Sequence, residues 1–388
     1  MKILIFDILL TGHHSEYISH FAEFLQTCDD QNEYIFVVNH QFSNRFPLIS
    51  QKIMKRVNLK LIEIEKEEFM ISQKGGLLKM SFSWYKLMNQ YAIQFEVDHV
   101  ILLYLNTFQL ALCFFRPSYT ISGILFQQFK RMQVKNWKDK VKYARKYLFT
   151  QGIVRNNSIK KIHVLNDQNS VDYFNSEFDT SIFEMLPDPV PEIFPLPKFD
   201  IFSHYQINRN KIIILHIGSL EDRKGTFDVA NSISLIEERN RKKLAILIVG
   251  ETKDDKLKIL LKNQAAKYPE VLIWDNQFVS NEMMKSLFEQ CDIVLMPYKN
   301  SEGSSGILGH ALASGKAVIT TGQGLLKEIV LDTKCGFLID IVNPVNISIV
   351  ISNLINADKL NFNGGTYLES HSPYIFVNKI INFKFNNK

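Results

Sequence analysis

The 388-residue chain is poor in the residues that mark unusual proteins. Its 4 cysteines (Cys28, Cys113, Cys291 and Cys335) are far apart and form no C-x-x-C pair. That excludes a disulfide framework and metal-ligand spacing, and they read as buried thiols of a reducing compartment. Gly (17) and Pro (11) are scarce, which excludes collagen-like and low-complexity chains. No run reaches the roughly 18–20 apolar residues that a membrane-spanning helix needs. The opening MKILIFDILLTGHH has one Lys, a short apolar run and no small-residue cleavage site. It reads as a first β-strand rather than a signal peptide, and the cytoplasm is the expected location. Net charge is only +5 with no nucleic-acid-binding motif, so no nucleic-acid partner is expected.

What is present is globular: 46% hydrophobic and 22% charged residues, over a length that exceeds one ordinary core. Apolar runs at 2–8, 34–38, 59–65, 99–105, 121–126 and 161–166 read as strands. Helical spacing separates them, as in Tyr17, Ile18, Phe21, Phe24 and Leu25. This predicts a doubly wound α/β domain over 1–190. LPDPVPEIFPLP, from Leu186, holds 5 prolines in 12 residues and is the linker. Strand runs restart at Lys211 and recur at 244–250, 271–274, 292–296 and 317–321, predicting a second parallel-sheet domain over 191–370. A terminal helix around 374–383 falls in a 371–388 tail that packs back on the first domain.

The chain is organised around 296–321, MPYKNSEGSSGILGHALASGKAVITT. A strand ends, a small-residue loop follows, then a helix closed by Gly315 and another strand: one βαβ unit. Gly303, Ser304, Ser305 and Gly306 let backbone N–H groups approach a diphosphate at a helix N-terminus. Glu302, acceptor-only when ionised, suits sugar hydroxyls better than phosphate. Taken alone, the loop also reads as an ordinary capped helix with a solvated Glu. IGSLEDRKG places Arg223 and Lys224 after the first strand of the second domain, where a fork and a point charge could neutralise a diphosphate. Gly12, His13 and His14 follow the first strand of the first domain. Gly12 allows close approach of an acceptor or phosphate, and a histidine can bond a hydroxyl or take its proton. Paired histidines without a third ligand at helical spacing argue against a metal. Asp188, Asn166 and Asp167 read as turn or cap residues, His163 and His216 as packed strand residues, and Glu328 as either cleft-lining or helix-starting.

The segment 129–149, FKRMQVKNWKDKVKYARKYLF, carries 8 Lys or Arg and 1 Asp among interleaved apolar residues. It is expected to be one basic amphipathic helix. Such a helix suits an anionic membrane surface, or simply covers the sheet with its apolar face.

Together these pieces resemble the GT-B glycosyltransferases of glycosyltransferase family 4, across both domains and most clearly from Leu186 onward. LPDPV is similar to the family's hinge, and GSLEDRKG, from Gly218, to its Gly-rich turn with phosphate-holding Arg and Lys. FVSNEMMKSLFEQCDIVLMPY, opening at Phe278, resembles the segment that leads into the donor loop. EGSSGILGHALASGKAV resembles the signature of two Glu separated by seven residues, and GHHSEYISHFAEFL the acceptor-side turn. The first Glu of that signature falls on Glu302, implied to contact the donor sugar. The second, which holds the ribose in the family, falls on His310, whose imidazole can still accept a hydroxyl. The family's histidine after a later strand of the first domain is missing, with Gln127, Gln128 or Asn106 available instead.

The resemblance implies two Rossmann-like domains facing a cleft and retaining transfer of a sugar from a UDP- or GDP-linked donor to a hydroxyl. No metal or other cofactor is required. Glu302, Lys224, Arg223 and His13 are the implied catalytic residues. Gly218, Phe278, Gly303, Ser304, Ser305, Gly306, His310 and Glu328 would bind the donor, and Gly12 and His14 the acceptor or phosphate. The acceptor class is a surface glycan or lipid-linked saccharide, with peripheral contact at the inner membrane face through 129–149. A catalytically weak nucleotide-sugar-binding subunit is the alternative, with His310 as its mark. An epimerase of related fold is a further one. A dinucleotide-dependent reductase would need G-x-G-x-x-G where the chain has LLTGHHSEY.

Overall fold

A computed structural model describes residues 1–28, 31–299, 303, 305–355 and 364–382. The chain forms two compact units, Met1–Pro187 with Pro373–Lys388, and Asp188–Ser372. The first contains a seven-stranded sheet: β1 Lys2–Asp7, β2 Glu33–Val38, β3 Leu59–Glu63, β4 His99–Leu102, β5 Thr120–Leu125, β6 Ile159–Leu165 and β7 Phe183–Leu186, in the order β3-β2-β1-β4-β5-β6-β7. The second contains β8 Ile212–Ile217, β9 Leu244–Val249, β10 Leu272–Asp275, β11 Ile293–Met296, β12 Ala317–Thr321 and β13 Gly336–Ile339, in the order β10-β9-β8-β11-β12-β13. All pairings are parallel, with Ile5 opposite both Phe36 and Ile101, and Ile214 opposite both Ile246 and Ile293.

Parallel strands covered by helices on both faces must be apolar on both, and IIILHI and LAILIV are. Alternation still sorts the side chains. Leu4 and Phe6 enter one core of the first unit, while Ile3 and Ile5 enter the other beside Tyr17 and Phe21 of the helix His14–Thr27. That second core is completed by the helix Pro373–Ile381, whose Phe376 ring lies 4.7 Å from Tyr17. The edge strands β7 and β13 have 4 residues each. Neither FEML beside the proline-rich stretch nor GFLI carries a strand signal of its own. Among the described residues no helix is long and apolar enough to cross a membrane.

One expectation is corrected. The basic segment is not a single helix from 129, because the helix begins at Trp137 and runs to Val154. Asn136 and Asp139 form a reciprocal capping box that starts it there. Upstream, the Phe129 ring is buried among Tyr143, Tyr147, Phe174 and Phe178. Arg131 meanwhile makes a two-pronged bond to Asp167 (2.8 and 2.6 Å). Burial alone would raise the Asp167 pKa, but the Arg131 and Ser170 bonds hold it below the usual carboxylate range. Asp167 also caps the helix Gln168–Glu177.

Two strand histidines contrast. His216 places Nδ1 2.9 Å from the Leu295 carbonyl oxygen and Nε2 3.0 Å from Thr226 Oγ1, tying β8 to β11 and to the following helix. His163, fully buried in β6, leaves both ring nitrogens without a hydrogen bond. Burial, with the Lys161 and Lys379 charges, depresses its pKa from 6.5 to about 3. The unfolded chain therefore takes up this proton near 6.5 and the folded chain does not until about 3. Across that interval, lowering the pH destabilises the fold by about 1.4 kcal/mol per unit. His163→Leu is expected to raise the urea unfolding free energy at pH 7 by about 1 kcal/mol and to shrink its decline below pH 6.5. A slope equal to that of the wild type would show that the buried ring is not its source.

Candidate functional site

The candidate residues fall on both units, and several share one kind of position. In the second sheet the chain goes outward from β8 to β9 and β10, then returns to the other side of β8 with β11. The loops after β8 and β11 therefore leave neighbouring strands in opposite directions, which is where doubly wound sheets open a crevice for ligands. The first loop carries Gly218, Arg223 and Lys224, and the second leads to Ser305 and Gly306. Glu302 and Ser304 lie outside the described residues; Gly303 is described as a half-buried bend.

Several contacts fasten the two loops together. The Lys299 N–H donates to the Arg223 carbonyl at 2.9 Å. Its ammonium meets Asp222 at 2.6 Å and Asp228 at 2.8 Å. Gly225 takes a left-handed φ of 73°, and a Cβ there would strike the Pro297 carbonyl. This glycine therefore lets the loop pass against the Pro297 turn. At Gly218, φ is 121° and a Cβ would sit 2.6 Å from the Lys224 ammonium. The missing side chain is the space in which Lys224 rests. The same ammonium lies 5.9 Å from the Tyr298 ring centre. Tyr298 is almost fully buried, which raises its pKa, and the nearby Ser305 hydroxyl partly offsets that rise. Lys224, Tyr298 and Ser305 thus form a chain from one loop to the other.

The electrostatics favour an anion. Burial first, and then the neighbouring Arg223 cation, lowers the Lys224 pKa, with Glu221 opposing. Arg223 itself is exposed and bonds Glu221 at 2.7 Å. Ser305 stands at the N-cap of the helix Gly306–Ala313 but makes no side-chain capping bond, so its hydroxyl does not occupy the first-turn amides. Gly315 closes that helix at φ 65°, with its N–H on the Leu312 carbonyl and the Lys316 N–H on that of Ala311. His310 stacks on Phe288 of the helix Asn281–Gln290, 5.8 Å between centroids at 20°. Glu328 lies within the helix Gly324–Thr333, and Phe278 stands 85% exposed after β10.

In the first sheet the reversal falls between β1 and β4. Gly12 is exposed at φ 74°, with open space where a Cβ would stand. His13 is exposed, with Nδ1 3.3 Å from Glu16. His14 differs: its Nδ1 lies 2.6 Å from Oδ2 of the buried Asp7, whose Oδ1 accepts the Leu9 N–H at 3.0 Å. The His14 ring meets Tyr104, from the loop after β4, edge-on at 5.6 Å. Asn106 braces the next loop through Phe126 and Gln127 backbone groups, and Gln128 is buried on Asp167 and Ser170. Gln128 therefore belongs to the Asp167 network. Among the described residues no group of three or more His, Cys, Asp or Glu is placed to hold a metal ion.

Sequence reasoning missed Asp7, Asp222, Tyr298 and Lys299. The only signal for Tyr298 and Lys299 was their place in MPYK directly after a strand.

Two parallel-sheet α/β units with loops at each strand-order reversal define the GT-B fold, and solved structures agree. The chain is similar over 100% of both chains to WaaG, a glycosyltransferase involved in lipopolysaccharide biosynthesis (TM-score 0.68, 15% identity). It is similar to Anabaena Alr3699/HepE in complex with UDP and glucose over 98% of this chain and 97% of that one (TM-score 0.67, 14% identity). It is similar to a sucrose-phosphate synthase from Thermosynechococcus elongatus over 98% of each (TM-score 0.67, 12% identity). No curated protein matches the chain by sequence. Residues 197–366, within the second unit, match the family Glycosyl transferases group 1.

Inorganic pyrophosphate titrated calorimetrically into the protein is expected to bind, with Lys224→Ala weakening it by about 1.5–3 kcal/mol. Tyr298→Phe should cost less, about 0.5–1.5 kcal/mol. Because Lys224 deprotonates below the usual lysine range, binding should weaken on alkalinisation before an ordinary lysine would titrate. Equal affinity in wild type and Lys224→Ala would remove the pyrophosphate from this loop.

Proposed function

We propose that the protein is a retaining glycosyltransferase that moves a sugar from a nucleotide-diphosphate sugar to a hydroxyl of a saccharide or lipid-linked glycan. The observation that carries this reading is the Lys224–Tyr298–Ser305 chain at the strand-order reversal of a group 1 unit. As the bond from the anomeric carbon to the diphosphate oxygen breaks, the electron pair leaves on the diphosphate. Lys224, Arg223 and the amides of 303–306 would stabilise that charge. The acceptor hydroxyl bonds to the anomeric carbon and gives up its proton, which ends on the departing diphosphate. Glu302 would hold the donor sugar's hydroxyls. His310, half-buried on Phe288 and a hydrogen-bond acceptor through one nitrogen, would take the ribose. Gly218 and Gly225 keep the phosphate loop open, and Glu328 and Phe278 would border the nucleotide. The chain's likeness to HepE, whose structure holds UDP and glucose, supports a UDP-linked donor; GDP is the second choice. The reading needs no metal or other cofactor.

Calorimetry with UDP, GDP and ADP, with and without EDTA, tests the donor site. Micromolar binding of one nucleotide, indifferent to chelator, is the expected result. Silence from all three would favour a binding subunit that has lost its donor. Glu302→Ala and Lys224→Ala should abolish transfer while leaving thermal unfolding unchanged; Lys224 ends a single 3-10 turn outside both cores of its unit.

Peripheral contact with an anionic membrane belongs to the same reading, with the helix Trp137–Val154 as its vehicle. Trp137, Val141, Ala144 and Leu148 are all exposed at spacings of three and four, so they form an outward apolar stripe. Lys138, Lys140 and Lys142 are exposed around it. An apolar stripe framed by lysines suits the lipid headgroup boundary. Sedimentation with vesicles containing phosphatidylglycerol should carry the protein down, and each of these lysines changed to Gln should weaken partitioning by about 1 kcal/mol. Equal binding to pure phosphatidylcholine would count against the contact.

A further inference from the structure

The first unit holds a buried carboxylate that no assigned role uses. Asp7 ends β1, its side chain is 1% exposed, and its two oxygens are divided between the Leu9 N–H and His14 Nδ1. A carboxylate can only accept, so the nitrogen 2.6 Å away must carry a hydrogen. In neutral imidazole this leaves the lone pair on Nε2. The ring is also fixed in direction, held at one edge by Asp7 and flanked by Tyr104 and Phe126 at 5.6 and 6.2 Å. His14 Nε2 has no hydrogen-bond partner among the described residues, and the His14 side chain keeps 12% exposure. His13, on the surface beside Glu16, is not held in this way.

We infer that Asp7 is a positioning residue that sets His14 in the Nδ1–H form, so that Nε2 receives a hydroxyl hydrogen and not an anionic phosphate. The ligand class at His14 is then an alcohol, the hydroxyl acceptor of sugar transfer; this last step rests on the function proposed above. A phosphate would require a proton on Nε2, and Asp7 placed on Nδ1 works against that arrangement in the neutral ring. Orienting carboxylates of this kind fix the tautomer and direction of a working histidine elsewhere.

The test uses the full chain labelled with nitrogen-15 histidine. Long-range proton–nitrogen spectra at pH 7.5 should show His14, assigned by its loss in His14→Gln, with Nδ1 protonated and Nε2 bare. Asp7→Asn, which can donate to Nδ1, should invert this to the Nε2–H form while the melting curve keeps its cooperative shape. If Asp7→Asn fails to fold, Asp7→Glu should retain the wild-type signature. A doubly protonated His14 in the wild type, or one unchanged by Asp7→Asn, would overturn the proposal. Release of UDP from UDP-glucose, or of GDP from GDP-mannose, with water as acceptor supplies the second readout. Asp7→Asn should lower kcat about 10–100-fold with the donor KM unchanged; an unchanged kcat would overturn it. If the wild type turns over neither donor, the transfer reading fails and the nitrogen spectra alone decide the role of Asp7.

Discussion

The second unit depends on one topological fact, that β8 lies between β9 and β11. Parallel strands cannot be joined by tight turns, so each connection crosses over a face of the sheet. Where the winding reverses, the loops on either side diverge and their backbone amides face open space. Lys224 and Ser305 occupy those two loops, and Tyr298 bridges them. Without the reversal, a lysine after the first strand and a serine after the fourth would have no reason to meet.

Keeping that place open carries a cost in electrostatics. Arg223 and Lys224 are adjacent cations, and Lys224 is also partly buried, so its charged form is disfavoured. The loop holds them through ties that do not consume the charge of Lys224. Lys299, between Asp222 and Asp228, anchors the loop, and Glu221 partners Arg223. A cation disfavoured in its resting state gains most when an anion arrives, which is the behaviour expected of a phosphate-binding group. In the first unit the same position, after β1, is used differently. A buried carboxylate, Asp7, takes one nitrogen of His14 and leaves the other accessible. The two reversals thus carry opposite local chemistry, cationic in one unit and hydrogen-bond-accepting in the other.

Much of this was legible in the chain. β1, β2, β8, β9, β11 and β12 appear as β-branched apolar runs because a strand buried on both faces must be apolar throughout. The helix end at Gly315 could be read from one residue, since a left-handed C′ position favours glycine. β7 and β13 escaped notice because short edge strands draw their order from a neighbour rather than from their own side chains. The start of the basic helix was placed too early for a related reason. The charge pattern runs unbroken through 129–149, and only the capping box at Asn136 and the burial of Phe129 divide it. Asp7 was hidden for the opposite reason: in KILIFDI it looks like the end of a strand, and its partner lies a turn away in a different element.

By itself, the sequence determined the composition of both units, the alternation of strands with helices, and which loops carry glycine, serine, arginine, lysine and paired histidines. These follow from local rules: period, capping, and the conformations that Gly and Pro allow or forbid. Only the tertiary structure decided that Lys224 rests over Gly218 beside Tyr298, that the Ser305 hydroxyl lies by Tyr298 without capping its own helix, and that His14 is held by a buried carboxylate. Strand order is the physical reason. It is set by how helices cover a twisted sheet, a property of the whole unit that no window of sequence contains.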